Sequence, residues 1–193
     1  MSETAASPDA RTGDPRRRPG GLRFRPARPD DLGACWEIWR DGLDSYMVPL
    51  NLPPVPAEVG SVGRLHAHLL STDPERFVVA ARPGKGGGER LVGFASAVRR
   101  DEVWILSMLF VRPEEQRSGV GRALLDEILP RDAAALATAT DAVQPISNAL
   151  YASLGIVPRM PLFSLVGRPA GDALESLPSG VSAVPFDEID DVA

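Results

Sequence analysis

A chain of 193 residues with 44% apolar content has the material for one core of moderate size, since a domain of about 150 residues buries about 70% of its chain surface. The formal net charge of −5 lacks the basic footprint of a nucleic-acid binder, and no apolar run is long enough for a membrane span or a signal core. The lone Cys35 excludes an internal disulfide, and together these features point to a cytoplasmic protein that binds neither nucleic acid nor membrane.

Residues 1–20 are rich in Pro, Gly, Ser, Asp and Arg, include Arg16-Arg17-Arg18, and offer nothing to bury, so they read as a disordered tail. Leu22 to Pro26 alternates apolar and basic residues like an edge strand. Asp30 or Asp31 is then placed to cap a helix whose Leu32, Cys35, Trp36, Trp39 and Leu43 form one apolar face. Core packing accounts for Trp36. Trp39 shares that face, and Tyr46 and Met47 follow it in a Pro-rich loop through Pro56, where loops carry specificity. A second short helix spans Val62 to Leu70. His66 and His68 cannot share one of its faces, and no Cys or carboxylate cluster joins them, so no metal site is expected.

Phe77 to Ala81 and Leu91 to Val98 read as neighbouring strands joined by a hairpin through the glycine cluster Gly84 to Gly88. Arg99 to Glu102 makes the next turn, and Trp104 to Val111 is a nearly unbroken apolar run ended by Pro113. Val120, Leu124, Leu125 and Ile128 then recur at helical spacing. A strand, a glycine loop and a helix start in that order make an anion cradle, because the orphan first-turn amides and the positive dipole end face the loop. Gly119 and Gly121 allow close backbone approach. Beyond it, Ala133 to Thr140 reads as a fifth strand, Gln144 to Leu154 as a helix ended by Gly155, and Ile156 to Val166 as one or two final strands broken by Pro158 and Pro161.

Two better-known phosphate loops fail on residues. The P-loop needs Gly-Lys before Ser or Thr, yet Arg122-Ala123 stands there and the only lysine is Lys85. The dinucleotide fingerprint needs a third glycine or alanine where this chain has Leu124. What remains is Gln116-x-x-Gly119-x-Gly121 after a Leu-Phe-Val strand end, which resembles the acetyl-CoA pyrophosphate loop of the GNAT superfamily of N-acetyltransferases. Gln144-Pro145-Ile146-Ser147-Asn148-Ala149-Leu150-Tyr151 resembles the fourth helix of that family, with one departure, Gln144 where the family commonly has Asn. In this helix Ile146, Leu150 and Leu154 fall at i, i+4 and i+8, which assigns them to the sheet and leaves Ser147, Asn148 and Tyr151 on an adjacent face.

The resemblance covers roughly residues 21–168. It implies an α/β (α+β) fold with a mixed, mostly antiparallel central sheet flanked by helices, the fourth strand splaying from its neighbour. It also implies acetyl-CoA as cofactor, held by Leu109, Phe110 and Val111, by Gln116, Arg117, Ser118, Gly119, Val120, Gly121 and Arg122, and by Gln144, Ser147 and Asn148. Tyr151 takes the place of the family's proton donor to the CoA thiolate. Trp39, Tyr46 and Met47 stand at the acceptor wall. No base declares itself, and Asp141 is the nearest carboxylate to the cofactor strands. Two functions stay open: direct acetyl transfer to a small-molecule or peptide amine, or a non-catalytic acyl-CoA-binding or assembly domain of a tandem protein.

The stretch 169–193 reads as a linker followed by the start of a second, similar domain. Gly180-Val181-Ser182-Ala183-Val184-Pro185 repeats the rhythm of Gly21-Leu22-Arg23-Phe24-Arg25-Pro26, and both run on to an Asp pair. Val181, Val184, Phe186, Ile189 and Val192 are then expected to dock on this domain or on a second copy, making a homodimer.

Overall fold

The structure, a computed structural model, describes residues 20–84, 86–163 and Ser179. The predicted disordered tail (apart from Gly20), Lys85 and the repeat beginning at Gly180 lie outside the described residues. The chain divides into two compact units after Val157, and in the second unit the described stretch 158–163 forms neither helix nor strand.

Strands β1 (Arg23–Pro26), β2 (Phe77–Pro83), β3 (Glu89–Arg100), β4 (Val103–Val111) and β5 (Ala135–Thr138) form one sheet in the order β1-β2-β3-β4-β5. Every neighbouring pair is antiparallel except β4 with β5. That exception follows from connectivity. Short turns join β2, β3 and β4, whereas the helix α3 (Val120–Ile128) carries the chain from β4 back to a parallel β5. Helices α1 (Leu32–Met47) and α2 (Gly60–Thr72) cover one face, and α3 with α4 (Pro145–Ala152) the other.

Two apolar layers result. Cys35, Ile38, Leu69, Phe77, Val79, Phe94 and Met108 fill one side, while Val92, Trp104, Leu106, Val120, Leu124, Leu125 and Tyr151 fill the other. Cys35 has no exposure, and burial pushes its thiol up to about 12, so it sits in the core as an inert thiol. Trp36 is buried with Arg40 over its ring at 4.8 Å, and Trp39 is half-buried against the α1 side of the core.

Three expectations change. Asp31 does not cap the helix amides: its carboxylate accepts from Arg28 N at 2.7 Å and from Arg25 Nη1 at 2.7 Å, because pairing with a half-buried guanidinium outweighs a single amide contact. On α4 it is Tyr151 that is buried while Ile146 is 44% exposed, so the sheet-facing stripe runs through Ser147, Tyr151 and the half-buried Leu150 and Leu154. No strand forms over 156–163, where Pro158 and Pro161 each remove a ladder donor. The end of α4 behaves as its glycine requires. Gly155 takes φ 79, with Ile156 N donating to Tyr151 O at 3.1 Å and Gly155 N to Ala152 O at 3.0 Å, the paired bonds of a Schellman turn.

His66 and His68 part company, the first fully buried and the second exposed. The His66 ring lies edge-on to Phe94 at 5.2 Å and Phe77 at 6.1 Å, Nε2 is 3.0 Å from Met108 Sδ, and Nδ1 has no hydrogen-bond partner. Burial lowers its pKa to about 4. The unfolded chain takes up that proton near pH 6.5, so the folded state binds fewer protons between about 6.5 and 4, and stability falls as pH drops through that window. The expected slope is up to about 1.4 kcal/mol per pH unit for this one site. Urea unfolding of wild type and His66→Leu at pH 7, 6 and 5 should show wild type losing stability relative to the variant as the pH falls. A constant difference would show that His66 does not carry the loss.

Candidate active site

The ladder between β4 and β5 contains only four pairs, Val103↔Ala135 through Leu106↔Thr138. Thr138 closes it by donating its hydroxyl to Leu106 O at 3.1 Å. Beyond that point β4 runs on to Val111 paired with β3 alone, so the predicted splay is present. A bulge helps to make it. Ser96 pairs with Met108 and Ala97 with Leu106, which leaves Ser107 as an extra residue on β4. The bulge also changes which face β4 presents: Trp104 and Leu106 point to the α3 side, and Met108 and Phe110 to the α1 side.

Backbone direction on the open edge follows from one bond. Arg112 N donates to Val92 O at 2.8 Å, and alternation along an antiparallel strand then turns the Phe110 groups toward β3 and those of Leu109 and Val111 toward the splay. Phe110 O accordingly lies so close to β3 that a Cβ on Gly93 would meet it at 2.9 Å. Of the three residues assigned to this edge, Leu109 and Val111 therefore present backbone groups there. Phe110 instead stacks on Phe94 at 5.9 Å and packs against Gly42 of α1, where a Cβ would come within 2.9 Å of its ring.

The loop after β4 ends in αL geometry, with Arg117 at φ 60 and Gly119 at φ 88 as the N-cap of α3. Ala123 N is the first amide bonded back into the helix, to Gly119 O at 3.0 Å. The amides of Val120, Gly121 and Arg122 therefore precede the helical ladder and face the loop. Gln116 ties the loop to the strand by donating Nε2 to Val111 O at 3.2 Å. Arg122 reaches Asp126 at 3.1 Å and Ser153 Oγ at 3.0 Å, while Arg117 is exposed without an ion pair among the described residues. An open strand edge beside a glycine-capped helix start has the donors a phosphate-bearing, amide-bearing chain such as acetyl-CoA requires.

Across the splay, the turn before α4 is tightly held. Gln144 N and Asn148 Nδ2 donate to Asp141 O at 3.1 and 3.2 Å, and Asn148 Nδ2 and Ser147 Oγ also donate to Gln144 O at 2.8 and 3.2 Å. Ser147 and Asn148 thus spend these groups on the turn itself. The Tyr46 hydroxyl, at the end of α1, donates to Asp141 Oδ2. Burial and this carboxylate raise the Tyr46 phenol well above its ordinary range, so it stays a donor. Met47 is half-buried beside it, and its carbonyl accepts from Leu52 N at 3.1 Å. The Tyr46–Asp141 contact spans 95 residues and left no mark in the sequence. Tyr151, by contrast, sits in the core with 7% exposure, and its hydroxyl has no hydrogen-bond partner among the described residues; burial pushes its pKa up to about 12.

Residues 36–156 match the Acetyltransferase (GNAT) family. The chain belongs to that family. Solved structures share the fold. One is a Pyrococcus horikoshii protein assigned as an acetyltransferase, 20% identical with TM-score 0.54, covering 70% of this chain; the chain spans only 43% of that protein's length. A transcriptional regulator from Bacillus halodurans C-125 is 16% identical with TM-score 0.54, covering 76% of this chain and 99% of its own. A possible acetyltransferase from Clostridium difficile 630 is 14% identical with TM-score 0.51, again covering 76% and 99%. At these identities the likeness is one of fold. No curated protein matches the chain in sequence. Among the described residues no helix is long and apolar enough to cross a membrane.

Proposed function

We propose that the chain moves an acetyl group from acetyl-CoA to a primary amine of a small molecule or peptide by direct transfer. The observation that carries this reading is the open β4 edge at Leu109 and Val111, set beside the Gly119-capped start of α3 within a GNAT domain. Family membership supports acyl transfer, and the site geometry supports acetyl-CoA as the donor. When bound, acetyl-CoA supplies an activated thioester and a thiolate leaving group.

The chain's own residues divide the remaining work. The amides of Val120 to Arg122, with the exposed Arg117, hold the pyrophosphate. The Leu109 and Val111 backbone pairs with the amide-bearing arm, and an N–H on this edge polarises the thioester carbonyl. Tyr151 donates its proton toward sulfur as charge develops there. Asp141 receives the acceptor's ammonium on Oδ1 and removes its proton, while the Tyr46 hydroxyl fixes Oδ2. Trp39 and Met47, half-buried on α1, line the acceptor side with Tyr46; the helix runs on through Tyr46 and Met47, which the sequence pattern assigns to the following loop.

Turnover of acetyl-CoA against primary amines, read as free thiol released, tests the proposal. Amino-acid amides, polyamines, aminoglycosides and N-terminal peptides span the acceptor classes. Amine-dependent thiol release is expected for at least one class. Tight acetyl-CoA binding with no release from any of them would instead fit a non-catalytic acyl-CoA-binding domain.

A further inference from the structure

The loop that is to take a pyrophosphate carries two adjacent carboxylates, Glu114 and Glu115, just ahead of Gln116. Two like charges there oppose an anionic ligand unless something answers them. Arg82, at the end of β2, forks onto Glu115: Nε lies 3.1 Å from both carboxylate oxygens and Nη2 lies 3.0 Å from Oε2. Arg90 of β3 pairs with Glu114 and stands 3.5 Å from Glu115. The two pairs differ in setting. The Arg82 and Glu115 side chains are 29% and 15% exposed, against 45% and 57% for Arg90 and Glu114, so the Arg82–Glu115 pair is the less screened.

Glu115 also has a second tie, since its carbonyl accepts the Ser118 hydroxyl at 2.5 Å one residue before Gly119. The carboxylate end is thus fixed to the sheet and the carbonyl end to the loop's αL turn. Arg82 holds the junction from outside, with its Nη1 donating to Gly20 O at 2.8 Å.

We infer that Arg82 is a positioning residue that serves the anion-binding loop by neutralising Glu115, so that the amides from Arg117 to Arg122 meet a phosphate without an opposing charge. The inference rests on the acetyl-CoA reading above. With Arg82 gone, the largely buried Glu115 carboxylate keeps only the more exposed Arg90, 3.5 Å away, and its charge on the loop is answered far less completely.

Calorimetric titration with CoA tests it on wild type, Arg82→Met, Glu115→Gln and the double variant. Arg82→Met should weaken CoA by about tenfold or more, the effect of one poorly screened like charge left on the loop. Glu115→Gln should bind CoA as wild type does, and the double variant should recover most of the loss. Raising the salt concentration should narrow the gap between Arg82→Met and wild type, because the Debye length shrinks to about 3 Å at 1 M. Arg82→Lys, which keeps the charge without the fork, covers the case in which Arg82→Met does not fold, and is expected to bind like wild type. Unchanged affinity in Arg82→Met would overturn the inference. So would a loss in Glu115→Gln as large as in Arg82→Met with no recovery in the double variant, since that pattern belongs to a plain structural brace. A tenfold loss in folded Arg82→Lys would overturn it as well. Absence of CoA binding by wild type would fell the cofactor reading itself, and this inference with it.

Discussion

Replacing Gly119 with valine is expected to weaken CoA binding by about 100-fold, through backbone strain and a blocked approach to phosphate together. Gly119 stands at φ 88 as the N-cap of α3. A β-branched residue is a genuine outlier at positive φ, so the loop must either absorb the strain or flip out of its αL turn. Either response moves the amides of Val120 to Arg122, which the proposed pyrophosphate site relies on. Added methyl groups would also stand where a phosphate oxygen has to come close. Calorimetry on a Gly119→Val variant with an unchanged circular dichroism spectrum reads the effect. Unaltered affinity in that folded variant would remove this loop as the pyrophosphate site.

Tyr151→Phe is expected to lower turnover by about 10²–10⁴-fold while leaving CoA affinity nearly unchanged. The ring is part of the core on the α3 side, and phenylalanine keeps that packing. What is lost is a hydroxyl that makes no hydrogen bond to another described residue and is therefore not spent on structure. Burial pushes its pKa up to about 12, so the phenol stays protonated through neutral and mildly alkaline pH and remains able to donate. Turnover in wild type should accordingly show no fall between pH 7 and 10 from ionisation of this group. A Tyr151→Phe enzyme with the wild-type rate constant would exclude Tyr151 as the acid and leave its hydroxyl without a role in transfer.

The local elements were legible because each rests on short-range chemistry. The apolar run of β4, the Gln116-x-x-Gly119-x-Gly121 loop and the helical spacing of Val120, Leu124 and Leu125 together announce a strand, an αL turn and an amphipathic helix, and all three are present. The same is true of the Gly155 stop after α4, since only glycine takes that φ without strain. Family membership follows from those motifs and is carried by residues 36–156.

What tertiary structure alone decided lies wherever two distant segments meet. The extra residue at Ser107 cannot be counted from one strand, because a bulge exists only relative to its partner, yet it moves Met108 and Phe110 to the α1 side and helps open the edge at Leu109. The facing of α4 departs from its apolar spacing for a related reason. Ile146 has the more apolar side chain, but it lies 44% exposed in the first turn of an eight-residue helix, while the Tyr151 ring packs into the α3-side core. Asp31 abandoned its expected capping role because Arg25 lies across a folded corner from it. Tyr46 and Asp141, 95 residues apart, and Arg82 and Glu115, 33 apart, become partners only once the sheet brings α1 over β4 and β2 beside the glycine loop. The sequence by itself determined the periodicities, turns and glycine positions, because these depend on neighbours along the chain. The register of the splay and the pairing of its charges depend on neighbours in space, which only packing specifies.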